Sequence, residues 1–176
     1  MKKIKTISMV LAALFTASMA VFAQIQIPTP FFPITLQTFA IAICGYALGV
    51  KYSLFSVFAY ILLGVAGAPV FSGFCGGFHH ISGPAGGFVI GFPFLVLFCA
   101  LSCKFKNKWK QILIGIIGVA TMYAFGIIHF MVFTNVKTFG ITLLMFMGTF
   151  IKDIVLCVSA FYISKTIKNR IVKIGN

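Results

Sequence analysis

Lys104-Phe105-Lys106-Asn107-Lys108-Trp109-Lys110 puts four lysines into seven residues, and the runs on either side, at about 85 to 103 and 111 to 132, contain no Asp, Glu, Lys or Arg. Each run is close to the roughly 20 apolar residues needed to cross the hydrocarbon core of a bilayer. The stretch therefore reads as a basic turn joining two membrane helices. Working outward, four more apolar runs lie at about 7 to 27, 34 to 50, 53 to 70 and 140 to 163, and all other charges except Lys152 and Asp153 fall between and beyond them. The expectation is an all-α integral membrane protein, residues 1–176 forming a single transmembrane domain of six helices.

Charge fixes the expected orientation. With the N-terminus inside, Lys2, Lys3 and Lys5, then Lys51, then the four lysines of the quoted turn, then Lys165, Lys168, Arg170 and Lys173 all fall on the cytoplasmic side. Only Lys137 falls outside, and Lys152 lies within the last run. The positive-inside rule then puts both termini in the cytoplasm. A competing reading takes the N-terminal lysines, the apolar stretch and Val21-Phe22-Ala23 as a cleaved secretory signal. Cleavage would leave five spans and spoil this alternation, so six is preferred.

Composition excludes whole classes of chemistry. The chain has 176 residues, 61% of them hydrophobic, with 14 Lys and Arg against a single acid, Asp153. A mixed-charge aqueous surface cannot be built from that set. Glycoside hydrolysis by paired carboxylates and carboxylate-caged calcium each need at least two acids. The net charge of +13 lies between apolar runs rather than along a hydrated face, so it does not describe a nucleic-acid binder. No lysine follows a glycine, which removes the P-loop and with it ATP hydrolysis by this chain. The five cysteines, 44, 75, 99, 103 and 157, form no C-x-x-C and are read as small apolar residues.

Three features depart from a generic membrane protein. Ile27-Pro28-Thr29-Pro30-Phe31-Phe32-Pro33-Ile34-Thr35-Leu36-Gln37 holds three of the six prolines, which predicts a stiff extended hairpin. Pro33 suits the first turn of the next helix and places Gln37 about one turn inside it. Nine of 17 glycines lie between Gly64 and Gly91, interleaved with Phe71, Phe74, Phe78 and Phe88. Irregular backbone at membrane depth must be buried or line a cavity, so this segment reads as a lid with free amides and apolar walls. Asp153, inside the last span, should face the bundle interior or a cavity, where an ionisable group is a functional candidate. Lys152 is a possible counter-ion, although neighbours in a helix point about 100° apart and do not naturally meet.

Taken together, these segments resemble the BioY family, the biotin-specific substrate-binding (S) components of energy-coupling factor transporters. Pro28 through Gln37 matches Pro-x-Pro-Phe-x-Pro-hydrophobic-Thr-x-Gln, and the glycine succession matches at Gly67 to Phe71, Gly76-Gly77 and Gly83 to Phe88. Tyr123 to Gly126 is similar to a Tyr-x-x-Gly segment in span 5. The resemblance implies an S-component fold in a bacterial cell membrane, biotin capture on the outer side, and uptake driven by a separate transmembrane coupling protein with two ABC-type ATPases. No cofactor and no enzymatic activity are implied. The substrate-binding set carried over or read from the loops is Gln37, Gly76, Gly77, Phe78, His79, Phe88, Tyr123 and Asp153. Ala13 and Ala17 match the family's Ala-x-x-x-Ala, which docks the coupling protein. The chain departs from the family at Cys75, Val89 and Leu156, where Asn, Arg and Lys are common, so the ligand carboxylate must find another partner among loop amides, Lys152, His79 and His80. Rival readings are an S component for another vitamin, a solitary carrier, and an intramembrane serine hydrolase using Ser72 with His129 or His79. A metal site at Cys75, His79 and His80 lacks a fourth ligand and is not expected.

Overall fold

The computed structural model describes residues 2–28, 33–135 and 139–175. The predicted hairpin positions Thr29, Pro30, Phe31 and Phe32, and Lys137, lie outside the described residues. The chain is mostly helical. Among the described residues the helices are α1 (Lys2–Gln24), α2 (Gln37–Leu48), α3 (Val50–Val65), α4 (Phe78–Ser82), α5 (Gly86–Ser102), α6 (Lys108–Thr134) and α7 (Phe139–Gly175). A short ribbon pairs β1 (Gln26–Ile27) antiparallel with β2 (Ile34–Thr35).

That ribbon corrects the predicted start of the second helix. Ile34 and Thr35 pair with Ile27 and Gln26, and Leu36 N–H donates to Ile25 O at 3.1 Å. Pro33 thus leads into a strand, not a helical turn. Gln37 is the first residue of α2, with its own N–H donating to the Thr35 hydroxyl. Similar local chemistry sets the other ends. Gly49 (φ 74°) breaks the chain between α2 and α3, and Gly67 (φ 101°) follows the end of α3, five residues before the expected boundary at 70. Asn107 caps α6 by accepting from Trp109 N–H at 2.9 Å, and Asn135 ends it in the left-handed region. At the far end α7 runs past the expected limit of 163, because the tail holds no proline and no glycine before Gly175 to break the helix.

Three segments are long and apolar enough to cross a membrane: Thr6–Gln24, Lys108–Thr134 and Thr142–Lys168. The other apolar helices, α2, α3 and α5, have 12, 16 and 17 residues. Twelve residues rise about 18 Å, well short of a core about 30 Å thick. The ribbon precedes α2, and the glycine-rich segment joins α3 to α5.

α2 is buried on nearly every side, packed against α1, α5 and α7, while α5 lies along α6. Without a strong hydrophobic drive between helices in lipid, close approach depends on small residues. A Cβ on Gly45 of α2 would come 2.7 Å from Cys99 Cβ, and one on Gly87 of α5 would come 2.5 Å from Phe125 O of α6. Glycine at these two positions sets the α2–α5 and α5–α6 spacing. The Ala13 to Ala17 stripe behaves differently: both residues are exposed and line an open apolar groove between α1 and α3 with Phe55, Ala59 and Leu63.

Candidate functional site

Where β2, the start of α2, the start of α5 and the middle of α7 converge, they enclose a cavity of about 560 Å³ including its mouth. Gln37, Phe88, Tyr123 and Asp153, four of the predicted binding residues, all line it. The other four do not: His79 and Phe78 are exposed, and Gly76 and Gly77 pack against the end of α3, with Gly77 N–H donating to Gly64 O at 2.7 Å. His80, one position on in α4, lines the cavity instead.

Asp153 is 4% exposed and is gripped from two sides. The Tyr123 hydroxyl donates to Oδ2 at 2.7 Å, and Lys152 Nζ lies 2.9 Å from Oδ1. This corrects the expectation that adjacent helix positions do not meet. The lysine stem is long enough to fold back, and the same ammonium donates to the Thr35 carbonyl of β2. Lys152 therefore ties α7 to the ribbon while pairing the carboxylate. Oδ1 has no hydrogen bond of good geometry beyond the ion pair among the described residues, so a lone pair remains to be satisfied. A buried charge left partly unsatisfied is expensive, and such groups mark sites more often than scaffolds.

Aromatic packing fixes the tyrosine. Phe88 meets Tyr123 edge-on at 5.2 Å, and Phe150 does so at 5.1 Å. Gly126 makes room for this, since a Cβ there would sit 2.5 Å from the tip of the Phe88 ring. On the opposite strand of the network, Gln37 Nε2 donates to Tyr60 Oη at 2.8 Å and Tyr60 donates to Val70 O at 2.9 Å. Tyr60 meets Phe71 edge-on, and Phe71 stacks on His80 at 4.6 Å. Gln24 at the end of α1 pins this turn, donating to Phe71 O at 3.0 Å and accepting from Phe74 N–H at 2.9 Å. Burial first, and neighbouring His79 second, hold the His80 imidazole below its ordinary pKa, which favours the neutral ring near pH 7.

The hydrolase geometry is not assembled. Ser72 lines the cavity but bonds no histidine among the described residues, and His129 Nε2 lies 3.0 Å from Gly83 O. A nucleophile needs its base within hydrogen-bond reach. Sequence reasoning also missed Thr38, Met122 and Thr149 on the cavity wall. Thr149 had a usable signal, because it lies four residues before Asp153 and so shares its helix face.

With this geometry in place, the comparisons with known proteins decide the family. The BioY family model matches residues 1–173. The chain belongs to the BioY family. It is 39% identical over 124 residues to the probable biotin transporter BioY of Pyrococcus horikoshii, covering 70% of this chain and 73% of that one. Against the biotin transporter BioY of Thermotoga maritima it is 38% identical over 117 residues, covering 66% and 69%. The crystal structure of the S-component for biotin from an ECF-type ABC transporter superposes with a TM-score of 0.85 at 24% identity, over 94% of this chain and 92% of that one. The fold of this BioY-family chain is therefore the S-component fold, and its relatives are transporters, not enzymes.

Proposed function

We propose that this chain binds biotin in the cavity around Asp153 and delivers it across the membrane as the substrate-binding subunit of an energy-coupling factor transporter. The observation that carries the reading is the Lys152–Asp153 pair on the cavity wall. It sets a cation and a carboxylate 2.9 Å apart, an adjacent donor and acceptor on the wall of the cavity. A ureido ring presents the complement, an N–H beside a carbonyl. Asp153 accepts the N–H and Lys152 donates to the carbonyl, while the Gln37 amide, able to donate and accept, holds the second N–H. Phe88, Phe92 and Tyr123 offer ring faces to the thioether ring. Because Lys152 and Asp153 engage one end of the ligand, the carboxylate at the other end lies against the loop wall, where Ser72 and His80 supply polar atoms. In place of the expected His79 and the glycine amides, these two residues are its partners here.

In this reading the short helices and loops complete six spans, both termini face the cytoplasm of a bacterial cell, and the cavity opens outward. Energy comes from a transmembrane coupling protein and two ATPases. The exposed Ala13 and Ala17 in the α1–α3 groove give such a protein a smooth apolar face to dock on. Competition of labelled biotin on the purified chain by biotin analogues and by unrelated vitamins tests the ligand assignment. Displacement by compounds that keep the ureido ring supports it. Displacement by an unrelated vitamin at equal or lower concentration sinks it in favour of another substrate.

A further inference from the structure

At the opposite end of the bundle, where α2 and α5 end and α6 begins, lies a second, open basin of about 370 Å³ including its mouth. Lys165 and Lys168 of α7 line it with Ser164, together with Tyr46 of α2, Cys103 after α5 and Gln111 of α6. Fifteen residues of α7 separate Asp153 from Lys168, about 22 Å at the helical rise. Asp153 is the only acid in the chain and already pairs with Lys152. The basin therefore holds two cations for which the sequence offers no acidic side chain.

Neither of two simpler accounts explains it. Basic residues favour the last turn of a helix, where they meet its negative dipole end, but α7 continues to Gly175, beyond both lysines. Topology requires lysines at this end, yet it is indifferent to whether they surround a cavity. Here they do, and the Lys165 ammonium is laid over the Phe161 ring at 4.3 Å from its centroid, along the basin wall. The basin's other donors are mostly engaged internally. Cys103 Sγ bonds Tyr46 O, and Ser164 Oγ donates to Phe161 O. Gln111 Nε2 donates to Phe105 O. Lys165 and Lys168 line the space, and neither ammonium donates a hydrogen bond among the described residues. Depth points to the ligand's source. Phe105, in the turn before α6, and Trp109, in its first turn, are 45% and 80% exposed near Gln111 of the basin, as expected of rings lying among lipid headgroups.

We propose that this basin binds the phosphate of an anionic phospholipid, with Lys165 and Lys168 as its ligands. Phosphate offers several acceptor oxygens to two ammonium groups, and the exposed aromatic rings place the site at headgroup depth. The same chemistry is carried by free phosphate, so the test must separate the two sources. The full chain, purified in neutral detergent, is titrated with short-chain phosphatidylglycerol, phosphatidylcholine and inorganic phosphate, and complexes are counted by native mass spectrometry. Phosphatidylglycerol is expected to bind at one saturable site and phosphatidylcholine not to. Lys165→Gln with Lys168→Gln is expected to weaken that binding about 30-fold, and the Lys165→Arg, Lys168→Arg pair to retain it. Lys104→Gln with Lys106→Gln removes the same charge outside the basin and should leave the site intact. Retained biotin binding by every variant shows that each has folded. An equal loss in both glutamine pairs, or equal binding of phosphatidylcholine, would overturn the assignment. Displacement of the lipid by inorganic phosphate at a similar concentration would overturn the lipid as the source.

Discussion

Two stretches of α7, one around Lys152 and one around Lys165 and Lys168, carry lysines of the same chemistry in opposite circumstances. Lys152 is about one-third exposed, paired with a buried carboxylate and bonded across to β2. Lys165 and Lys168 stand around an open basin with no acid in reach among the described residues. The difference teaches that charge in a membrane protein acquires a specific role through what encloses it. On the proposed reading, an ion pair walled by aromatic rings serves recognition of a ligand, and a pair of cations without a carboxylate serves contact with a lipid phosphate.

The strongest way to break this comparison is to make one substitution at both ends. Lys152→Met strands the Asp153 carboxylate in an apolar wall and is expected to cost about 3–5 kcal/mol of stability. Lys165→Met is expected to change it by less than about 0.5 kcal/mol. Thermal unfolding in one detergent checks both, and equal effects would erase the distinction. Next in size, Tyr123→Phe removes the hydroxyl that donates to Oδ2 while keeping the ring stack, for an expected loss of about 1.5–3 kcal/mol. Measuring it together with Lys152→Met in a double-mutant cycle would show coupling if both act on one carboxylate.

Asn107→Ala, at the lysine end, removes a helix cap and is expected to cost about 1 kcal/mol without altering ligand affinity. The smallest effect concerns His80. Its folded-state pKa lies below the ordinary value, so the unfolded chain binds the proton more readily. Stability from this group is present above about pH 6.5 and declines as pH falls toward the folded-state value. Unfolding midpoints at pH 7.5 and 5 should therefore diverge less in His80→Gln than in the parent.

Much of this contrast was legible beforehand. Asp153 stood out because a lone acid in an apolar run must face something polar, whereas Gly87, read as part of a lid, lies inside α5 and packs against α6. What the sequence hid was set by short distances in space. Helical periodicity cannot say that Ile34 and Thr35 would pair with β1, since their apolar and polar types suit a helix end equally well. Choosing His80 over His79 requires the rotation of a five-residue helix, and one position swings a side chain by about 100°. The Lys152–Asp153 contact depends on a flexible stem folding back, which backbone directions alone do not reveal.

The central claim, that the cavity around Asp153 is the biotin site, is most directly tested by equilibrium titration of labelled biotin against the purified chain and its Asp153→Asn variant. The substitution keeps the shape and replaces an acceptor-only carboxylate with an amide that places a donor against the ureido N–H. The account predicts one saturable site in the parent and a loss of affinity of at least about 100-fold in the variant, consistent with roughly 3 kcal/mol for a charged hydrogen bond. Unchanged affinity in a folded Asp153→Asn protein, or no saturable binding by the parent, would contradict it.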